Sequence, residues 1–349
     1  MEYENSLRFL ADIHYKEKTL EYLEKPMENF MDDLRKNRPL ITVIGGDYFD
    51  KRLGAEEEAY KIAISKIAEM SKYTKHLIFI KGTYSHDYDT LEIINTLQRL
   101  KPNIHYYPTL KNIQIEGYDI LIVPEEYPVS PENYYKEAFS KKYDLVLGHG
   151  DIQGAMLHSG INNTMLKGFR FNLKELSGMA KFVLFGHIHK HQYLKDNVVY
   201  PGSLARYKQG EEEDKGYLSL DLDNFIMEFK KVEATIFKSI TIKSDEEYDK
   251  YKKLFEEEGV ELNIKLSKDM RHLKKDIESL NPEINISNLK SVEDETKNIL
   301  LYEDIDKLDI VSQYKLILSK DNVPKSKRVF FTDIEMENKI AYLNDVIST

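Results

Sequence analysis

Short apolar runs alternate with amphipathic stripes over the first two hundred residues, and this alternation restricts the possible folds more than any other feature. The segments LRFLADIH, PLITVIGGDYFD, HLIFIKG, YDILIVPEE, YDLVLGHGD and KFVLFGHIH each carry a nearly unbroken apolar run that gives way to polar residues. Runs of this kind suit strands buried on both faces. Between the first two, Leu20, Leu23, Met27, Phe30, Met31 and Leu34 recur at helical spacing within residues 16–37, and a second helical stretch covers residues 55–72. Strands alternating with helices predict an α/β layered core. Such cores gather their ligands at the C-terminal ends of the strands, which is where the polar residues of these segments stand.

Beyond VVYPGSLARYKQGEEEDKGYLSLDLD the texture changes. The charged stretch from Glu211 to Lys215 reads as a solvated loop. From about residue 236 the pattern is strand (FKSITIK), helix (246–258), strand (VELNIKLS), helix (269–280) and strand (EINISNLK), which predicts a smaller α+β unit. In the last segment, Ile334, Ile340, Leu343 and Ile347 stand at helical spacing, with Thr332 or Asp333 as N-cap. The expected division is residues 1–232, 233–295 and 296–349.

With 349 residues and 41% hydrophobic content, the chain can bury a sizeable core. It has no cysteine, which excludes disulfides and thiolate metal sites and fits a cytosolic setting. No run of about 18 apolar residues exists to cross a membrane, and MEYENSLRFL lacks the features of a signal peptide. The formal charge of -10 argues against broad, non-specific binding to nucleic acid. It leaves room for a local basic groove, or for a site where metal ions supply the positive charge.

The strand ends carry metal-type ligands: Asp12 and His14, Asp47 and Asp50, His86 and Asp87, His149, and His187 with His189. A lone histidine is more often a surface or hydrogen-bonded core residue, and Asp50 alone would be a helix cap. Five of the ten histidines fall at these places, however, each beyond an apolar run. In Asp-x-His or His-x-His on an extended backbone, both side chains project from one face and reach one ion. Gly46 would let the backbone pass close to a buried ion beside Asp47. Imidazole and carboxylate without thiolate suit Mn, Fe or Zn rather than a calcium cage. One carboxylate shared by two ions gives the arrangement used on phosphate esters.

The order Asp-x-His, Gly-Asp-x-x-Asp, His-Asp, Gly-His, Gly-His-x-His resembles that of the calcineurin-like metallophosphoesterases, over roughly residues 7–220. That resemblance implies a layered β-sandwich flanked by helices. Pro201-Gly202-Ser203 followed by Lys215-Gly216 looks like the SbcD branch, whose members are nuclease subunits of DNA-repair complexes with bacteriophage relatives and carry a DNA-contacting capping domain after the core. By the resemblance, Asp12, His14, Asp47 and His189 would hold one metal, and Asp47, His149 and His187 the other. His86 would be the catalytic histidine that protonates the leaving oxygen, Asp87 would orient it, and Asp50 would lie behind the ligands. Two divalent ions are implied, manganese most characteristically, with iron, zinc or magnesium as alternatives. The implied partners are DNA and an SbcC-type ATPase, with a homodimer inside the complex, in a bacterial or phage-infected cell. Within the fold the alternative is a phosphatase or cyclic-nucleotide phosphodiesterase; outside it, a catalytically silent scaffold for the ATPase.

One loop departs from the pattern. The family reads Gly-Asn-His-Asp, with the asparagine amide on the second metal, whereas this chain reads Gly-Thr-Tyr-Ser-His-Asp. Thr83 and Tyr84 stand as the additional residues, and Ser85 or a water is expected in the asparagine's place. A neutral hydroxyl there would hold the second ion more weakly than the first. A basic groove for DNA is expected to include Arg206, Lys208, Arg271, Lys274 and Lys275, and residues 330–349 are expected either to dock a partner or to pack on their own domain.

Overall fold

Strand β1 (Glu4–Leu10) shows why the chain stacks in layers. Leu7 and Phe9 enter one apolar cluster and Leu10 enters another, as the period-2 alternation of a strand requires. Arg8, on the Leu10 side, is buried and its Nε donates to Asp33 Oδ2 at 2.6 Å. A strand with two covered faces needs a layer on each side of it.

The computed structural model describes residues 2–288 apart from 158–161, 166–167, 208–210, 212, 257–258 and 282–283, with backbone only for residues 88, 89, 256 and 288. Lys208 and the proposed C-terminal helix lie outside the described residues. After β1 come α1 (Leu20–Asn37), β2 (Pro39–Gly45), α2 (Glu58–Met70), β3 (His76–Ile80), the single turn α3 (Tyr84–Asp87), α4 (Ile93–Leu100) and β4 (Ile104–Tyr107). The next elements are β5 (Lys111–Ile115), β6 (Tyr118–Val123), α5 (Pro131–Phe139), β7 (Tyr143–His149), α6 (Leu173–Met179), β8 (Ala180–Gly186), β9 (Gln192–Lys195) and β10 (Val198–Tyr200). The last are β11 (Gly216–Asp221), β12 (Ile226–Lys231), β13 (Ile236–Ile242), α7 (Asp245–Tyr251), β14 (Val260–Leu266), α8 (Lys274–Leu280) and β15 (Asn285–Asn288).

Two six-stranded mixed sheets form the core, in the orders β12-β11-β1-β2-β3-β4 and β5-β6-β7-β8-β10-β9. Their centres, β1 to β4 and β6 to β8, are parallel. Phe9, Val43 and Ile78 of the first sheet meet Ile120, Leu147 and Leu184 of the second. Helices α1 and α2 cover the outer face of the first sheet through Phe30, Leu34 and Ile67, and α5 and α6 cover the second through Tyr135 and Leu176. A fully buried side chain such as Phe30 contributes about 1.5–3 kcal/mol over leaving it exposed. The expected sandwich flanked by helices is thus the fold of the core. Helix α1 ends where Arg38 turns left-handed (φ 49) and its N–H donates to Leu34 O at 3.0 Å.

Residues 236–288 form a third, three-stranded parallel sheet, β13-β14-β15, with α7 and α8 as its crossovers. It has its own apolar cluster, including Ile242, Phe255, Ile264 and Ile277. It meets α1, where Tyr22 and Phe237 pack edge to face at 5.3 Å, and Lys25 of α1 pairs at 3.3 Å with Glu233 in the segment that leads into it. Among the described residues no helix is long and apolar enough to cross a membrane.

Candidate metal centre

The parallel strands β1, β2, β3, β6, β7 and β8 all end on one edge, at the seam between the two sheets. The loops after β1 and β2 are joined by backbone hydrogen bonds: Asp12 N–H to Gly46 O at 3.1 Å, His14 N–H to Asp47 O at 3.0 Å and Tyr15 N–H to Tyr48 O at 3.0 Å. Four would-be ligands have left-handed backbones, Asp12 (φ 54), His14 (φ 52), Asp47 (φ 50) and His187 (φ 104). Such conformations are costly outside glycine and cluster at functional sites. The Asp-x-His pair therefore does not sit on extended backbone as its spacing suggested. A turn aims Asp12 and His14 inward while Ile13 between them is buried in the core.

Two separate groups of donor atoms result, Asp12, His14 and His189 in one and Asp47, His149 and His187 in the other, and a third, His14 with Asp50 and His86, shares His14 with the first; within each the atoms lie within 4.8 Å of one another. In the first, His14 Nε2 faces His189 Nε2 at 2.9 Å, and His189 Nε2 lies 3.8 Å from Asp12 Oδ1. Burial lowers the His14 pKa to about 4, so the ring is neutral near pH 7. Burial raises the Asp12 pKa to about 7, opposed by His149 and by the His187 N–H, which donates to its carboxylate at 3.0 Å. In the second group, His149 Nδ1–H donates to Gly45 O at 2.7 Å, which leaves Nε2 facing Asp47 Oδ1 at 3.4 Å. Burial works against the charged form of His149, but Asp47, Asp12 and Glu125 outweigh it and raise its pKa well above the usual value.

Asp47 spans both groups. Its Oδ1 faces His149, and its Oδ2 lies 3.8 Å from His14 Nε2. Burial would raise its pKa, yet the surrounding imidazoles hold it well below the usual carboxylate range. Two glycines make this approach possible. A Cβ on Gly46 (φ +92) would meet His149 Nδ1 at 2.2 Å, and one on Gly82 would meet Asp47 N and Oδ1 at 2.3 Å. Gly46 therefore makes room for an imidazole ring that the ion needs, in addition to freeing the turn.

These residues fit a pair of divalent ions. Imidazole nitrogens face one another and carboxylates across a buried floor, and His14 Nδ1 is buried with no hydrogen-bond partner, 3.5 Å from Asp50 Oδ1. The set is nitrogen and oxygen only, suited to Mn, Fe or Zn.

Three expected roles need correction. Ser85 is exposed; the hydroxyl at the second group belongs to Thr83, whose N–H donates to Asp47 Oδ1 at 2.7 Å and whose Oγ1 lies 3.4 Å from both His149 Nε2 and His187 Nδ1. The turn α3 explains this, because the N–H groups of His86 and Asp87 fold back onto Thr83 O and carry Ser85 outward. Asp87 does not orient His86. It is fully buried and accepts from the N–H groups of Gly82 (2.7 Å), Asp47 (3.1 Å), Tyr48 (2.9 Å) and Phe49 (3.2 Å), fixing the loop that carries Asp47. Burial raises its pKa to about 7, against the pull of those amides. His86 is held by the Asp50 carbonyl instead, to which its Nδ1–H donates at 2.7 Å, leaving Nε2 4.0 Å from Asp47 Oδ2. The Asp50 carboxylate lies behind His14 and pairs with Lys16 at 2.7 Å.

The third correction concerns charge. Arg206 is buried and donates to the carbonyls of Glu211, Glu213, Ala234 and Thr235, so it clamps the chain instead of lining a groove. The stretch from Glu211 to Lys215 is not simply solvated: both end residues are buried, and they pair at 2.9 Å. Lys215 Nζ also donates to Ser203 Oγ at 2.9 Å and to His189 O at 3.1 Å, which fixes the backbone of a would-be ligand from behind. Arg271, Lys274 and Lys275 are exposed on the third sheet's unit, far along the chain from these loops.

Glu125, absent from every motif above, also reaches the second group. Its Oε2 accepts from Thr83 Oγ1 at 2.8 Å and lies 3.4 Å from His187 Nδ1 and 3.5 Å from His149 Nε2. Burial would raise its carboxyl, but His187 and His149 bring it down to about 2. Its signal was its place just after the apolar run of β6, where the other strands also carry their ligands. The floor of the centre is Asp12 and His149; the rim is His86, His187 and His189, with side chains 33%, 28% and 25% exposed.

The model of the calcineurin-like phosphoesterase family matches residues 7–191, more than half of the chain and every loop described above except that of Ser203 to Lys215. "Putative phosphoesterase 244L" of Invertebrate iridescent virus 6 is 26% identical over 227 residues, covering 61% of this chain and 74% of that protein. "Putative phosphoesterase 078R" of Invertebrate iridescent virus 3 is 22% identical over 328 residues, 90% of this chain and 76% of its own length. The solved structure of an archaeal phosphodiesterase is 11% identical, covers 65% of this chain and 99% of its own, and superposes with a TM-score of 0.37.

Proposed function

Because the chain belongs to the calcineurin-like phosphoesterase family, and is a metal-dependent phosphoesterase on that ground, we propose that it hydrolyses the phosphodiester backbone of DNA. In this reading it is the nuclease subunit of an SbcD-type complex. The observation that carries the reading is the unit at residues 236–288. It has its own sheet and core, follows the Pro-Gly-Ser and Lys-Gly segment, and presents Arg271, Lys274 and Lys275 to solvent. A compact phosphomonoester gives an enzyme less use for such an extension than does a polymer with a charge at every nucleotide, which added basic residues can hold.

Asp12, His14, Asp47 and His189 would hold one ion, and Asp47, His149 and His187 the other. Two divalent ions, manganese in this proposal, would screen the phosphate's charge and polarise it toward attack by water. A phosphodiester would enter past the exposed rim of His86, His187 and His189, because Asp12 and His149 on the floor are fully buried. His86 stands at that rim with Nδ1–H tied to the Asp50 carbonyl, so its Nε2 can carry the proton that the leaving oxygen needs. Lys215 and Ser203 keep His189 in register from below. An SbcC-type ATPase is the proposed partner, within a complex that contains two copies of this chain.

The test is hydrolysis by the purified protein, with and without manganese, of end-labelled DNA, a small aryl phosphodiester and an aryl phosphomonoester. Manganese-dependent shortening of DNA supports the proposal. Activity confined to the phosphomonoester would replace it with a phosphatase, and no activity on any of the three would favour the silent scaffold.

A further inference from the structure

We infer that Glu125, with the Thr83 hydroxyl beside it, occupies the position on the second ion that the family pattern gives to an asparagine amide, so that this chain holds that ion through an added carboxylate. The inference rests on the metal-dependent phosphoesterase reading and adds to it a ligand that none of the sequence motifs contains. Glu125 follows β6 on the same edge as His149 and His187, and its N–H is anchored to Lys81 O at 3.2 Å, beside the loop that carries Thr83.

Distances carry the argument. Donor atoms each about 2.0–2.2 Å from one ion sit roughly 3–3.5 Å from one another. Glu125 Oε2 stands 3.4 Å from His187 Nδ1, 3.5 Å from His149 Nε2 and 2.8 Å from Thr83 Oγ1. Asp47 Oδ1 stands 3.4 Å from His149 Nε2, and Asp47 Oδ2 3.3 Å from Thr83 Oγ1. Apart from the 2.8 Å hydrogen bond between Thr83 and Glu125, these donors already stand at shell spacing, which a simple ion pair between Glu125 and His187 would not require of Thr83 and Asp47. The second oxygen of Glu125 is also fixed, because the Tyr127 hydroxyl donates to Oε1. Support of that kind around a ligand orients it and raises its worth to the ion.

The loop puzzle resolves in the same geometry. Thr83 directly follows Gly82, as asparagine follows glycine in the family pattern, and Tyr84 and Ser85 are the insertion, absorbed by α3. Thr83 is too short to replace an amide alone, and Glu125 closes the gap from the neighbouring strand. A carboxylate in place of a neutral amide adds a negative charge. The second ion is then bound at least as firmly as the first, the reverse of what a Ser85 hydroxyl would give.

The test is calorimetric titration with manganese alone, together with a count of bound metal, on wild type, Glu125→Ala, Glu125→Gln and Ser85→Ala. Wild type should bind two ions. Glu125→Ala should lose the second by more than the ~10–100-fold that removal of a mere supporting group costs, and keep the first. Glu125→Gln, of the same length and still an oxygen donor, should fall between them, and Ser85→Ala should match wild type. Second-site affinity unchanged in both Glu125 variants, or lost in Ser85→Ala, overturns the inference. Because no substrate is present, a protein that binds two ions but spares DNA would remove the nuclease reading and leave this one standing.

Discussion

At the scale of single residues, the centre separates groups that hold ions from groups that serve them. Asp47 faces both donor groups, so Asp47→Ala should abolish binding of both ions, measured as metal content after gel filtration. His86→Ala should retain both and lose turnover by about 10²–10⁴-fold, the usual worth of general acid–base help; loss of metal from that variant would make His86 a ligand. Asp87 belongs to a third class. Removing its carboxylate leaves four buried amides without an acceptor, each costing about 1–3 kcal/mol. Asp87→Ala should therefore lower unfolding stability by at least about 3 kcal/mol, read by denaturant titration, whereas His86→Ala should leave it nearly unchanged. Sequence alone exposed most of this group, because Asp12, His14, Asp47, His149, His187 and His189 end apolar runs. It hid the division of labour around His86. Which atom a buried aspartate accepts from is decided by the turn that brings Gly82, Asp47, Tyr48 and Phe49 together, and no spacing encodes that turn. Ser85 and Thr83 were confused for a related reason, since one helical turn decides which of two hydroxyls faces inward. Glu125 does not stand out in the sequence, because Glu125-Glu126 in a charge-rich chain resembles any solvated loop until β6 is known to lie between β5 and β7.

At the scale of elements, the long apolar runs gave the central strands, and the helical stripes gave α1 and α2, because strands and helices buried on a full face must carry a continuous pattern. Strands β4, β5, β9 and β12 escaped. They are the sheet edges, half of the residues of β4 and nearly all of those of β5, β9 and β12 are half-exposed or exposed, and their pattern is correspondingly thin. The pairing of the loops after β1 and β2 and the placing of the His149 ring depend on Gly46. Gly46→Ala should displace that ring, given a 2.2 Å clash and a φ of +92, and should weaken the second ion while the two sheets stay folded. Metal titration alongside far-ultraviolet circular dichroism checks both halves of that statement. The β13 to β15 unit was legible for the same reason as the core, through alternating strand and helix patterns around Phe255, Ile264 and Ile277. Its cationic residues are a different matter. Lys274 already pairs with Glu278 at 3.6 Å on the exposed face of α8, a contact of small worth that a phosphate can displace. Reversing Lys274 and Lys275 to Glu should lower DNA affinity and flatten its dependence on salt, since each lost phosphate contact reduces that slope; an unchanged slope would take α8 out of the DNA path.

At the scale of the whole molecule, a protein of net charge -10 acts on phosphate esters by concentrating positive charge in one place. Four layers bring six strand ends to one seam, and the seam is where two sets of imidazoles and carboxylates meet across Asp47. Arg206, expected on a nucleic-acid surface, is consumed with Lys215 in holding that seam together, so under the proposed DNA reading the positive charge would come from the ions and from exposed residues such as those of the third sheet's unit. The central claim is that the strand ends form one centre for two ions sharing one carboxylate. Electron paramagnetic resonance of the manganese-loaded protein tests it most directly. The account predicts two Mn(II) per chain, about 3.5–4 Å apart as in other two-metal sites, with a spin-coupled spectrum that disappears in Asp47→Ala. A single ion at saturation, or two ions with the spectrum of isolated Mn(II), would contradict it.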